Sequence, residues 1–120
     1  MPKINNTIRG QNAEQHARYF LETHGLDFIE SNYHAPGGEL DLIMRDNTTL
    51  VFVEVRMRNI SRFGDAIESI TAKKQARIIQ TAAYYLQQHH ELANSPCRFD
   101  VVAYSRTLQT PQWLKAAFGI

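Results

Sequence analysis

The sequence predicts an α/β fold: a small mixed β-sheet flanked by helices, in the order helix, three strands, helix, strand (αβββαβ). Three patterns lead there. Apolar residues recur at helical spacing in two separated stretches, Ala13 to His24 and Ala72 to Leu86. Between them, Gly38 to Met44 and Val51 to Arg56 alternate with period two around the polar turn Asp46-Asn47-Thr48-Thr49. Near the C-terminus, Val101-Val102-Ala103-Tyr104 is a continuous apolar run, as in a strand covered on both faces. A strand, a helix and a further strand in one sheet imply a right-handed crossover that sets the third and fourth strands parallel.

Residues 1–9 are polar and expected to be loose. The first helix is expected from Gly10 to His24, with Ala13, Ala17, Phe20, Leu21 and His24 as its buried stripe and Gly25 as its stop. Glu14 lies about 100° round from Ala13, at the stripe's edge. It can lean toward whatever the helix packs against or stay exposed. Leu26 to His34 reads as the first strand, and Pro36-Gly37-Gly38 as the turn into the second. Leu40, Leu42 and Met44 should share one face of the second strand, with Glu39, Asp41 and Ile43 on the other. In the third, Val51, Val53 and Val55 oppose Phe52, Glu54 and Arg56. Asn59 to Asp65 is an irregular connection leading to a helical turn around Ala66 to Ile70. Thr71 is placed to cap the second helix, which runs to about His89. Its expected buried stripe is Ala72, Ala76, Ile79, Ala83 and Leu86; Lys73, Arg77, Gln80 and Tyr84 form a polar flank. Cys97 to Tyr104 is the fourth strand, and Gln112 to Phe118 a final packing piece.

A chain of 120 residues with 43% hydrophobic and 21% charged residues has the makeup of one ordinary globular domain, spanning residues 1–120. The single cysteine, Cys97, excludes an internal disulfide and any multi-cysteine metal cluster. No segment resembles a signal peptide or a membrane span, so a cytoplasmic protein that does not bind membranes is expected. Nucleotide-binding glycine patterns and zinc spacings are absent, and none of the five histidines accompanies a serine or cysteine nucleophile. The histidines are read as packing or surface residues, with His34, beside the glycine turn, the one to watch.

Charge is unevenly spread. Arg56 to Arg77 holds six basic residues (Arg56, Arg58, Arg62, Lys73, Lys74 and Arg77) against Asp65 and Glu68, a local net charge of +4 in a chain of net +1. Such a patch on an otherwise acidic body is one form of nucleic-acid footprint; an unevenly charged solvated surface is the other explanation. The first turn of the second helix carries Lys73 and Lys74, which its dipole does not favour.

The hairpin carries the sharpest chemical suggestion. If Asn47-Thr48 is a two-residue loop, Asp41 lies opposite Glu54 and Glu39 opposite Arg56. Directly opposed side chains have Cβ atoms roughly 5 Å apart, where two carboxylates repel unless a hard cation sits between them. A slip of two residues would instead set Asp41 against Arg56, an ordinary cross-strand ion pair.

Taken together, Gly38-Glu39-Leu40-Asp41-Leu42-Ile43 followed by Val51-Phe52-Val53-Glu54-Val55-Arg56 resembles the PD-(D/E)xK nuclease superfamily. More narrowly, the chain resembles the YraN-like family of bacterial proteins, itself similar to archaeal Holliday junction resolvases. Gly10, Ala13 and Glu14, then Phe63, Gly64 and Lys73, then Arg98-Phe99-Asp100-Val101 extend the match from Gly10 to Tyr104. The bare Asp…Glu-x-Lys pattern is weak; the whole set in this order is specific. The resemblance implies a restriction-endonuclease-like three-layer core and a Mg²⁺- or Mn²⁺-dependent nuclease cutting phosphodiester bonds, with branched or structured DNA as partner. It implies Asp41 and Glu54 as metal ligands, Glu14 as a third acid of the site, and a dimer by analogy. Where the superfamily has a Lys that orients the attacking water, this chain has Arg56. An arginine keeps its proton and cannot act as a general base, though it can clamp a phosphate. A non-catalytic nucleic-acid-binding module that kept the fold is therefore the alternative. Glu39 either adds a ligand or holds Arg56 in place.

Overall fold

The structure, a computed structural model, describes residues 11–57, 68–104 and 110–119, with side chains from Ala13. Gly10, Arg58, Arg62, Phe63, Gly64, the connection Asn59 to Asp65 and the start of the helical turn expected from Ala66 lie outside the described residues. The elements are α1 (Gln11–Thr23), β1 (Asp27–Ala35), β2 (Gly38–Asp46), β3 (Thr49–Met57), α2 (Ala72–Gln88), a 3-10 turn (His90–Leu92), β4 (Cys97–Tyr104) and β5 (Gln112–Phe118). The expected packing piece after β4 is thus a fifth strand.

The sheet runs in the order β1-β2-β3-β4-β5 and is mixed. β3 and β4 are parallel, with α2 in the connection between them, and the other three pairs are antiparallel. Asn47, in the left-handed region at φ 56°, makes the two-residue β2–β3 turn, and Gly37 at φ 89° the β1–β2 turn.

α1 ends in a Schellman arrangement. Gly25, at φ 95°, donates to Glu22 O (3.1 Å), and Leu26 N–H reaches back to Leu21 O (3.1 Å). Its expected stripe is buried at Ala13, Ala17, Phe20 and Leu21, while His24 stays exposed and packs its ring on Phe20 and Trp113. These residues cover one sheet face with Leu42, Met44, Val51, Val53, Val102 and Tyr104. α2 covers the other face, over Ile43, Phe52, Phe99, Val101 and Ala103. Helix, sheet and helix make the three layers.

Two details of the packing differ from the alternation read in the sequence. The α2 stripe that is buried is Ile78, Thr81, Ala82 and Tyr85; Ala72, Ala76 and Ala83 face outward, and Ile79 and Leu86 sit at its margin. Three alanines offer little apolar area, whereas burying a tyrosine ring gains far more, so the helix turns to place Tyr85 on Tyr33 and Phe52. Leu40 also belongs to the α2-side cluster rather than sharing a face with Leu42 and Met44. The pattern breaks at Asp41, beyond the last β2–β3 pair, Leu42 and Val53, where the Asp41 side chain accepts the Val55 N–H (2.9 Å).

Candidate metal and phosphate site

The β2–β3 register decides whether the two strand carboxylates meet. Leu42 pairs with Val53, Ile43 with Phe52, Met44 with Val51 and Asp46 with Thr49, the alignment that the two-residue loop dictates. The ladder ends one residue short of Asp41 and Glu54, which therefore neighbour each other without being a paired rung, and the slipped alternative is not formed. Asp41 Oδ2 is fixed by the Val55 N–H (2.9 Å), and the Asp41 and Glu54 side chains lie within hydrogen-bonding reach of each other. Glu54 is buried, at 7% exposure.

Glu14 comes from the opposite layer. Projecting from the first turn of α1, it is half-buried and reaches the Asp41 carboxyl and the side chain of Asn32. Its Oε1 is buried and has no hydrogen-bond partner among the described residues. Acids from α1, β2 and β3 therefore meet at the end of the β2–β3 pair away from its turn.

All three resist ionisation. Burial, followed by the charge of Asp41, pushes Glu54 up to about 7, against a partial offset from Lys74. Burial also raises Asp41, where the Val55 N–H opposes the rise and the Glu14 charge adds to it. Glu14 is raised, again first by burial. A carboxyl in hydrogen-bonding contact with another must hold a proton, or a cation must stand in for it.

Among the described residues, three cations stand around this centre. Lys74 Nζ lies 3.0 Å from Glu54 Oε2, and Arg56 Nη1 3.6 Å from the same oxygen. The rest of the Arg56 guanidinium is spent on Ser69: Nε donates to its hydroxyl (3.2 Å) and Nη2 to its carbonyl (3.1 Å). Arg77 has no ion-pair partner among the described residues. Lys74 and Arg77 line a cavity of about 380 Å³ together with Gly37, Gly38, Glu39, Asp41, Glu54 and Ile78. Lys73 is exposed and stands outside the lining, and Arg58 and Arg62 fall outside the described residues. Glu39 does not hold Arg56: its Oε2 lies 3.3 Å from His34 Nδ1, so the watched histidine pairs with the acid that opposes it on the neighbouring strand.

The donor set suits a hard cation in part. Mg²⁺ asks for one or two carboxylates and completes its shell with water or phosphate oxygens, which Asp41 and Glu54 with the orphaned Glu14 Oε1 can satisfy. Among the described residues, no three His, Cys, Asp or Glu side chains are drawn closely enough to enclose an ion unaided. Such a site would be finished by solvent and ligand.

Residues 13–104 match the model of a family described as "Uncharacterised protein family UPF0102". The chain belongs to the UPF0102 family. This is the YraN-like family that the sequence resembles. A UPF0102 protein of Nitrosococcus oceani is 48% identical over 114 residues, covering 93% of this chain and 92% of its own. One from Nitrosomonas europaea is 49% identical over 111 residues, with 92% of each chain covered, and one from Pseudomonas putida 46% over 121 residues, with 98% of each.

In this UPF0102 chain, spacing alone marked Asp41 and Glu54 and left Glu14 open. Lys74 was visible only as part of a basic stretch. Its sequence signal was the unfavourable lysine in a helix's first turn: Thr71 caps Lys74 N–H (3.1 Å), and that turn holds no acid. Asn32 and Ser69 carried no signal, because neither belongs to a pattern. No helix among the described residues is long and apolar enough to cross a membrane.

Proposed function

We propose that this chain is a metal-dependent nuclease that hydrolyses phosphodiester bonds in DNA, with branched or structured DNA as the substrate class to test first. The observation that carries this reading is that Asp41 and Glu54 line one cavity with Lys74 and Arg77, while half-buried Glu14 reaches Asp41 from α1. Asp41 and Glu54 would hold Mg²⁺ or Mn²⁺, with Glu14 supporting from α1. When bound, the ion would supply Lewis-acid polarisation of the scissile phosphate and a lowered pKa for the attacking water. Lys74 and Arg77 would grip non-bridging phosphate oxygens, and Lys73 the backbone further along. Arg56 is too engaged with Ser69 to leave, and its guanidinium stays protonated; it would add positive potential and take no proton.

The test is incubation with labelled duplex, flap and four-way-junction DNA in Mn²⁺. Cleavage that disappears in Asp41→Asn is the expected result; no cleavage, or cleavage indifferent to that change, would remove the proposal. A second function, a nucleic-acid-binding module without turnover, is favoured by one observation: both Lys74 and Arg56 rest on Glu54 Oε2, covering an oxygen the ion would need. DNA binding that persists in EDTA, with no turnover even in Arg56→Lys, would select it. A single exposed cysteine suits a reducing, cytoplasmic setting for either.

A further inference from the structure

We propose that Lys74 is a displaceable counter-ion: it holds the Glu54 carboxylate while no divalent cation is there and turns to a phosphate oxygen of the nucleic acid once one is. This deepens the nuclease proposal and rests on it.

Among the described residues two cations contact Glu54, and of these Lys74 is the one free to move. Arg56 is 13% exposed and held by two hydrogen bonds to Ser69, whereas the Lys74 side chain is 41% exposed above a carboxylate that is 7% exposed. The lysine backbone is fixed, because Thr71 Oγ1 accepts its N–H, so movement is confined to the four-carbon stem. A divalent cation on Asp41 and Glu54 would take the oxygen that Lys74 now contacts and would repel the ammonium. The released amino group would remain at the rim of a cavity that Arg77 and the Gly37-Gly38 backbone also line. Two cations would then face the same phosphate, and cation and nucleic acid would tighten each other's binding reciprocally.

The experiment is calorimetric titration of the full chain with Mn²⁺, without nucleic acid, for wild type, Lys74→Met, Lys73→Met and Asp41→Asn. Removing the competing ammonium should tighten Mn²⁺ about fivefold in Lys74→Met. Lys73→Met, which removes a charge on the same turn that does not touch Glu54, should change it less than about twofold. As a second readout, acetylation of wild-type protein followed by mass spectrometry should modify Lys74 several-fold faster in Mn²⁺ than in EDTA. Unchanged or weaker Mn²⁺ affinity in Lys74→Met, or labelling of Lys74 that ignores Mn²⁺, would overturn the counter-ion role. If Asp41→Asn abolishes Mn²⁺ binding while Lys74→Met does not tighten it, the counter-ion role alone falls. If wild type binds no Mn²⁺, or Asp41→Asn binds it as well as wild type, the nuclease proposal falls with it.

Discussion

Glu54 is buried beside Asp41, and burial holds its carboxyl at about 7 against an ordinary 4.5. The folded state therefore keeps a proton that the unfolded chain has released. Its contribution to stability is complete below pH 4.5 and is lost as pH rises through about 7, a change on the order of 3 kcal/mol. Asp41 and Glu14 are raised too and act in the same direction. Urea unfolding in EDTA should give a lower free energy at pH 8 than at pH 5, and Glu54→Gln should flatten that difference. Mg²⁺ should restore stability at pH 8 in wild type by binding the folded state alone. Arg56 gives a second test at this scale. One ammonium cannot reproduce two guanidinium bonds to Ser69, so Arg56→Lys should cost about 1 kcal/mol in denaturant unfolding. The sequence made the substitution of Arg for Lys plain, but not its partner, since Ser69 lies across an irregular connection that no periodicity spans.

At the scale of elements, α2 delivers Lys74 and Arg77, and its distance from β2 is set at one contact. A Cβ on Gly38 would collide with the Thr81 hydroxyl, which is buried and donates to Arg77 O (2.8 Å). Gly38→Ala should push α2 outward and cost about 1–3 kcal/mol by thermal unfolding, and adding Thr81→Ala should recover most of it. The hairpin was legible because a two-residue loop fixes register, and a one-residue error would have exchanged the sets of side chains that face α1 and α2. The buried face of α2 was not legible by apolar spacing. Three alanines matched the helical period as well as Ile78 and Tyr85, and only the ring cluster with Tyr33 and Phe52 decides between them. β5 was read only as a packing piece, yet it pairs with β4 along a ladder interrupted between Phe99 and Val101, where buried Asp100 accepts from Arg98 Nε (3.1 Å), Trp113 Nε1 (2.9 Å) and Ala116 N (2.9 Å). The Arg98-Phe99-Asp100 motif is thus an anchor for the sheet's edge.

Across the whole molecule, the site draws on both helical layers and the sheet between them: Glu14 from α1, Asp41 and Glu54 from the strands, Lys74 and Arg77 from α2. A net charge of +1 gives little general affinity for polyanions, so binding should depend on a few placed cations. Each phosphate contact contributes about 0.9 to the slope of log affinity against log salt. Arg77→Ala should therefore weaken DNA binding in Ca²⁺ and reduce that slope by about one unit, as read by fluorescence anisotropy over a salt series. The central claim is that Asp41 and Glu54 jointly hold a divalent cation. Anomalous diffraction from a Mn²⁺-soaked crystal tests it most directly. A peak within about 2.3 Å of an oxygen from each carboxylate is the result this account predicts; a soaked site without one, with Lys74 still seated on Glu54, would contradict it.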